Sequence, residues 1–350
     1  MVKEVRPAYR TGRHHKIIHQ KLYFMFKNYF KTALRSLWKN KVTSFINLFG
    51  LAVGMTAAVF IFLWVQNEMT VDNYHADKDN IFRITNTMQV SKNESWVMEN
   101  SPLLMTDIAL KEIPEVEKAS RINLNTWAIP ALNVNNKLFP EKTMAIVDKT
   151  WFNIFHYDFV AGNPAEFSKT PFSLILSESK AKKYFGNADA VGQIIRLDTI
   201  NYTVAGVVKD NPLNSSFRFD IFIQLDGYLS NKETLRTSSN WGTLGFISFL
   251  QLRADADRSI VEKKLTEINN KNSGNNIATI SLEPLREMYF ENNLQNSVMP
   301  HGNKKVTYIF SLLGILLLIT ACINYVNLTT AKASIRAKEV SLRKITGAHG

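Results

Sequence analysis

The sequence predicts a membrane protein in which two transmembrane α-helices flank an α+β extracytoplasmic domain, itself in two subdomains. Three observations carry that expectation. Phe45–Val65 and Tyr308–Leu328 are each 21 residues long and carry no charge; at ~1.5 Å of rise per residue, either run crosses the ~30 Å hydrocarbon core as a helix. Between the runs lie 240 residues, Gln66–Lys305, of ordinary globular composition. The formal charge of +12 resides in the two ends: residues 1–41 hold eleven Lys/Arg against one acid, residues 329–350 hold five against one, and the rest holds 26 against 28. Basic flanks stay cytoplasmic, so both ends are expected inside and the middle outside.

The elements follow in order. Residues 1–24 are basic and poor in apolar side chains and are expected to be a disordered extension. His14, His15 and His19 stand there without a carboxylate ligand set, which reads as a solvated tail rather than a metal site. From residue 25 to 41, Lys27, Lys31, Arg35 and Lys39 recur every four residues beside an apolar stripe of Phe26, Phe30, Ala33, Leu34, Leu37 and Trp38. That pattern describes a helix lying in the inner membrane interface, its basic stripe toward anionic lipid headgroups.

Residues 42–65 form the first expected span. Gly50, Gly54 and Ala58 fall at i, i+4 and i+8, a face that lets another helix approach closely. In the second span, residues 306–328, Asn324 and Asn327 lie near the inner end; amides in lipid hydrogen-bond to a neighbouring helix, so a bundle of more than two helices is expected. The first span is too long for a signal-peptide core and lacks a small-residue cleavage site.

The extracytoplasmic domain, residues 66–305, mixes strand and helix. Ser101-Pro102 is expected to start a helix, with Pro114 stopping it. Phe172–Leu176 reads as a strand, and Ser177 caps a helix that runs to Phe185 with Gly186 at its end. Gln193–Leu197 and Tyr202–Val208 read as hairpin strands, Phe246–Arg253 as an alternating strand, Ile260–Ile268 as an amphipathic helix and Ala278–Leu282 as a further strand. The only cysteine, Cys322, lies in the second span, so the domain depends on a hydrophobic core rather than on disulfides.

The motifs of common chemistry are missing. No phosphate loop, HExxH, GxSxG or paired-cysteine spacing occurs. His75, His156 and His301 are scattered. The expectation is a non-catalytic chain without metal or cofactor. A nucleic-acid-binding role is set aside, because the basic residues flank membrane spans and the folded part is nearly neutral.

Several stretches resemble the MacB/FtsX-like permeases, the membrane subunits of a class of ABC transporters. MFKNYFKTALRSLWKNKVTSFINLFGLAVGM (25–55) is similar to the amphipathic helix and first span of that family. EMTVDNYHADKDNIFRI (68–84) is similar to its juxtamembrane segment, with Glu68, Asp72, His75 and Arg83 in familiar places. FSLILSESKAKKYFGNADAVGQIIRLD (172–198) and YTVAGVVKDNPLNSSFRFD (202–220) look like its periplasmic core domain. ACINYVNLTTAKASIRAKEVSLRKITGA (321–348) resembles the end of the second span and the cytoplasmic segment after it. The resemblance covers nearly the whole chain from Met25 onward.

The resemblance implies a permease dimer in the bacterial inner membrane and a separate cytoplasmic ABC ATPase as partner, with a periplasmic adaptor or outer-membrane protein as a further one. ATP-driven motion would pass along the helices to the periplasmic domain for export or extrusion. Residues 329–350 would be the coupling segment, with Glu339, Arg343, Lys344 and Gly347 matching the family's short cytoplasmic stretch. Relatives begin near Met25 and continue through further spans, so the resemblance implies an N-terminal fragment with residues 1–24 as an extension or misplaced start. The substrate is left open between peptide, macrolide, lipoprotein release and force transmission alone. The same topology also suits an extracytoplasmic sensor, the input module of a receptor with two transmembrane helices. A sensor should continue into sustained heptads, whereas Lys332–Gly350 reads as a basic helix ending at Gly347.

Overall fold

The computed structural model describes residues 41–124, 129–274 and 278–347. The basic extension 1–24 and the interfacial stripe of Lys27, Lys31, Arg35 and Lys39 lie outside the described residues. The chain divides into two compact units. One comprises residues 66–307; the other combines the residues up to Val65 with those from Tyr308 onward.

The second of these is helical. Helix α1 (Lys41–Met69) carries the first apolar run, whose membrane-length part, Phe45–Met69, has a mean hydropathy of 2.3. The last helix of the chain carries the second, Lys304–Asn327, at 2.5. Phe45, Phe49, Phe60, Leu63, Ile309, Leu312 and Leu316 are all at least half exposed. Water would penalise such a surface, at roughly 25 cal/mol per Å² of apolar area, while lipid accepts it.

The other unit is the α+β domain. Strand β1 (Ile81–Ser91) leads through β2 (Glu94–Met98) and β3 (Asn100–Pro102) to helix α2 (Met105–Glu112) and β4 (Val116–Asn123). A hairpin follows, β5 (Ala131–Val134) and β6 (Lys137–Pro140), turned by Asn135 and Asn136. Both asparagines have positive φ, 49° and 64°, the conformation a two-residue hairpin turn demands and asparagine tolerates. Then come β7 (Met144–Val147), α3 (Trp151–Ile154), β8 (Phe159–Gly162), α4 (Pro164–Lys169), β9 (Ser173–Ser177), α5 (Glu178–Phe185), β10 (Ile194–Leu197), β11 (Ile200–Val208) and β12 (Ile221–Gln224). The chain closes with α6 (Leu225–Tyr228), α7 (Lys232–Ser238), β13 (Leu244–Leu252), α8 (Arg258–Ser273), β14 (Ala278–Pro284), α9 (Leu285–Met288) and α10 (Lys304–Ile345).

The strands hydrogen-bond along one path, β14-β1-β13-β4-β7-β12-β9-β11-β10-β5-β6, with β2, β3 and β8 attached at its side. Its first four members, with α2 and α8, make a β-α-β-β-α-β unit in which the first and last strands are neighbours. Between β4 and β13 the chain departs to build the second lobe and then returns. The two expected subdomains are therefore two lobes of one sheet, the second inserted into the first. The lobes meet where β4 pairs with β7, Ile122 opposite Val147.

Each lobe has its own core: Ile84, Met105, Ala109, Leu250, Val261 and Leu265 in the first, Leu132, Leu174, Ile195, Val204 and Ile223 in the second. A third cluster draws on both lobes, with Ile81, Ile122 and Phe249 from one and Ile175, Val208 and Phe222 from the other. Its centre is aromatic. The fully buried Trp151 meets Phe155, Phe217 and Phe249 at centroid separations of 4.2, 5.4 and 5.9 Å, the last two edge-on and within the range of favourable ring pairs.

Several sequence expectations hold closely. Ser177 caps α5 by accepting from the Lys180 amide, and Gly186 ends it at φ 65°. Leu197 opposite Ile200 closes the expected hairpin around Asp198, at φ 52°. Two expectations fail. Ser101 and Pro102 do not start a helix; they lie in β3, and α2 begins at Met105 without a side-chain cap. Ser101 is buried and its Oγ bonds to the Phe246 carbonyl and to Ser248 Oγ, at 3.2 and 2.6 Å. Pairing with β13 thus takes the hydroxyl that local sequence offered as a cap. The strand around Phe246–Arg253 does not alternate either, because β13 lies inside the sheet with both faces covered and is buried from Phe246 to Leu252. Helix α8 extends beyond Ile260–Ile268 at both ends, with Asp257 as its cap and Gly274 in the left-handed region after it.

Candidate functional site

In the helical unit the small-residue stripe of α1 meets α10. A Cβ on Gly50 would stand 3.6 Å from Asn324 Nδ2, and one on Gly54 would stand 3.6 Å from the Ala321 Cβ. Ala58 is buried, at 1% exposure. Farther along, Gly314 of α10 faces Ile61, where an added Cβ would come within 3.0 Å. Asn324 Nδ2 donates to the Asn47 carbonyl at 3.0 Å, so a polar side chain in an apolar zone is matched by the backbone of the facing helix. Asn327 remains exposed. Near the other end, Trp64 packs on Phe310 at 5.1 Å.

Helix α10 does not stop where its apolar run stops. Its 42 residues continue through Glu339 and Arg343 to Ile345. Lys344 is exposed, while the side chains of Glu339 and Arg343 lie outside those described. The Thr346 amide donates to the Leu342 carbonyl at 3.0 Å, and Gly347 turns the chain at φ 75°.

In the α+β unit, the segment leading in from α1 and the segment leading out to α10 are both tied to the sheet. On the inward side, Asp72 sits at φ 58° and is buried. Its Oδ1 accepts from the Ser216 amide at 2.8 Å, and its own amide donates to the Asn214 carbonyl at 2.9 Å. Tyr74 and Ser215 share a hydrogen bond of 2.8 Å. His75 Nδ1 accepts from the His156 amide at 3.1 Å, and its ring stacks among Tyr74, Phe155 and Phe217. Burial pushes the His75 imidazole down to about 3, helped by His156 and Lys78, and pushes the Asp72 carboxyl up to about 6 against the pull of its Ser216 bonds. The imidazole is therefore neutral at physiological pH.

On the outward side, a fully buried arginine binds three elements together. Arg83 of β1 donates through Nε and Nη2 to Glu283 Oε2 of β14, at 2.9 and 2.5 Å, and through Nη1 to Glu99 Oε2 at 2.5 Å. Glu99 Oε1 accepts from the amides of Val298 and Met299, at 2.7 and 3.4 Å. The carboxylate thus holds the outgoing chain five residues before α10. Burial pushes the Glu283 carboxyl up, and Arg83 opposes this. Nearby, Tyr289 donates to Glu68 Oε2 at 3.0 Å, linking the incoming and outgoing segments directly. Gly302 packs against that tyrosine so closely that an added Cβ would lie 2.2 Å from its ring.

Of these groups, Glu68, Asp72, His75 and Arg83 had been marked in the sequence through resemblance alone. The 211–219 loop lies inside the 202–220 stretch that carries the resemblance, whereas Glu99, Glu283 and Tyr289 lie outside every such stretch. A charge inside the apolar run Ile81–Ile84 was the available signal for Arg83, since a buried guanidinium needs carboxylates. Nothing local indicates that they come from 16 and 200 residues away. Among the described residues no group of three His, Cys, Asp or Glu stands close enough to hold a metal ion. The hydrogen bonds of this region tie the incoming and outgoing segments to the sheet.

The family model of the MacB-like periplasmic core domain matches residues 44–268, more than half of the chain. The chain belongs to that family. A solved domain of a Porphyromonas gingivalis protein assigned as a permease is similar in fold to this MacB-like chain, at a TM-score of 0.51 and 20% identity, over 68% of this chain and 99% of that one. The periplasmic region of MacB from Actinobacillus actinomycetemcomitans aligns at 0.42 and 17%, over 57% and 87%. The extracellular domain of the noncanonic ABC-type transporter YknZ from Gram-positive bacteria aligns at 0.42 and 13%, over 58% and 99%. No curated protein sequence matches significantly. The MacB-like family supports the permease expectation rather than the sensor one, and it makes the chain a membrane protein with an extracytoplasmic domain.

Three outcomes are expected. Replacing Arg83 with Met leaves Glu99 and Glu283 buried without their partner and should cost about 3–5 kcal/mol, read by urea denaturation of residues 66–305; a loss below about 1 kcal/mol would contradict the buried-triad account. His75 and Asp72 should give opposite pH responses. The neutral His75 contributes stability that is complete above its ordinary value of 6.5 and is lost as the pH falls toward about 3. The raised Asp72 contributes stability that is complete below 3.8 and is lost as the pH rises through about 6. Asp72→Asn keeps the Ser216 acceptor and tolerates positive φ, so it should stabilise at about pH 7.5, while His75→Gln should lessen the destabilisation seen between about pH 6.5 and 4. Identical pH profiles for both variants and the parent would refute the assignment. In the helix pair, Gly54→Ala should leave the melting temperature of the detergent-solubilised chain unchanged, whereas Gly54→Leu should lower it; an unchanged melt for leucine would mean that Gly54 and Ala321 do not pack.

Proposed function

We propose that the chain is the membrane permease subunit of an ABC transporter, lying in the bacterial inner membrane with both ends cytoplasmic. A separate cytoplasmic ATPase would supply ATP-driven motion, and a dimer of the permease would transmit it to the periplasmic domain for export or extrusion of substrate. The observation that carries this reading is the continuity of α10. Its 42 residues extend ~63 Å at 1.5 Å per residue, about twice the hydrocarbon core. A helix of that length is stiff along its axis, so a push on its basic end displaces the other end rather than being absorbed in a loop. Families of permeases need such a connection because the site of ATP hydrolysis and the extracytoplasmic domain stand on opposite sides of the bilayer.

The coupling residues proposed are Glu339, Arg343, Lys344 and Gly347. Gly347, at φ 75° and with none of the described residues within 4 Å of where a Cβ would stand, sets the direction in which the chain leaves the helix, and a β-branched residue there would force the backbone out of the left-handed region. A periplasmic adaptor or outer-membrane protein is a further partner consistent with the MacB-like family. The test uses the permease co-expressed with its ATPase. Glu339→Lys combined with Gly347→Val should leave membrane insertion intact and weaken ATPase co-purification or stimulated ATP turnover by tenfold or more, about 1.4 kcal/mol of coupling. A double mutant that inserts, binds and stimulates like the parent would make residues 329–347 a simple charge anchor.

A further inference from the structure

The loop from Asn211 to Ser216 sits where the chain leaves α1. Its ties to the incoming segment are dense: Asn214 Nδ2 donates to the Thr70 carbonyl at 3.1 Å, the Asp72 amide donates to the Asn214 carbonyl at 2.9 Å, and the Ser216 amide donates to Asp72 Oδ1 at 2.8 Å. At the loop's far side Asn211 Nδ2 donates to the Phe219 carbonyl at 2.7 Å, which closes its base. In this restrained loop stands Leu213, 80% exposed, the most exposed large apolar side chain among the described residues of the α+β unit. Met69, the last residue of α1, is 49% exposed, and Arg218 is exposed with its Nε donating to the Ser215 carbonyl at 3.0 Å.

Chain connectivity puts the residues that this loop holds directly after the apolar run of α1. The uncharged run of α1 ends at Val65, and four more helical residues carry Met69 ~6 Å beyond it, which is within the headgroup layer that adds about 5–7 Å on each side of the hydrocarbon. Thr70 is one peptide farther, and Asn214 is bonded to it. Leu213 adjoins Asn214 in the chain and Arg218 is bonded to Ser215, so an apolar pair and a cation follow closely on the end of the span, the composition of an interfacial contact. A leucine held rigidly in water would gain nothing from being there.

We infer that the 211–216 loop is a lipid-facing anchor, Leu213 and Met69 entering the interfacial layer of the bilayer that α1 spans and Arg218 facing its anionic headgroups. The inference rests on α1 as a membrane span and not on the transport reading. It gives the extracytoplasmic domain a second attachment to the membrane besides its two helices, one that a tilt of the domain would have to break.

The test uses the full 350-residue chain with Cys322→Ala, so that a single cysteine at Leu213→Cys carries an environment-sensitive NBD label. Leu138→Cys, on β6 at the opposite end of the sheet path from β14 and 68% exposed, is the reference. In phosphatidylcholine–phosphatidylglycerol vesicles, the label at 213 should show blue-shifted emission, loss of iodide quenching, and quenching by lipids bearing a nitroxide at the headgroup or shallow acyl positions. The label at 138 should show none of these. Emission and iodide quenching at 213 equal to those at 138 would overturn the inference. A blue shift insensitive to nitroxide lipids that disappears as the protein is diluted in lipid would overturn it too, and would assign the loop to a contact with a second copy of the chain.

Discussion

A chain that leaves a membrane and returns to it must bring two distant positions back together, and here the pairing of β1 with β14 does so. Phe82 lies opposite Pro284 and Ile84 opposite Leu282, so the domain's first and last strands are neighbours although 200 residues separate them. Arg83 bridges that pair to Glu283 and extends the tie to Glu99. The free energy of such a triad comes mostly from what its removal would leave behind, two buried carboxylates with no cation. The rest of the domain can vary in size because it is built between these strands. The second lobe is inserted at a place, after β4, that leaves β1 and β14 untouched.

The two units use different physics to the same end. In the α+β unit, water drives apolar side chains into three cores, and the buried charges of Arg83, Glu99 and Glu283 are paired with one another. In the helical unit, apolar side chains remain outside because lipid imposes no penalty on them, so close approach has to come from small residues and from satisfied amides. Gly50, Gly54, Ala58 and Gly314 supply the first, and the Asn324 bond to the Asn47 carbonyl supplies the second. Such contacts are individually modest, on the order of 1 kcal/mol each.

The base of the domain combines stiffness with titratable groups. Asp72, His75 and Tyr74 hold the incoming segment against the 211–216 loop and the aromatic cluster, and Glu68 with Tyr289 links it to the outgoing segment. None of these residues needs to react with anything for the proposed role. Their common property is that they tie the incoming and outgoing segments closely to the sheet.

The amino-acid sequence by itself determined the two membrane-length apolar runs, the basic flanks beside them, the need for a disulfide-free core, and those local elements whose signals are contiguous: Ser177 before α5, Gly186 after it, and the hairpin at Asp198. These follow from length, charge and capping, which depend on neighbours within a turn or two. It also carried the family resemblance, spread over separated motifs. Only the tertiary structure decided that the two lobes share one sheet, that Ser101 is a strand residue, and that Arg83 has its carboxylates in Glu99 and Glu283. It alone decided that the glycines of α1 face Ala321 and Asn324 within the same chain. Each of these depends on which distant segments become neighbours. A hydroxyl that could cap a helix, or a guanidinium that must find an anion, leaves the choice of partner to whatever the fold brings within 3 Å.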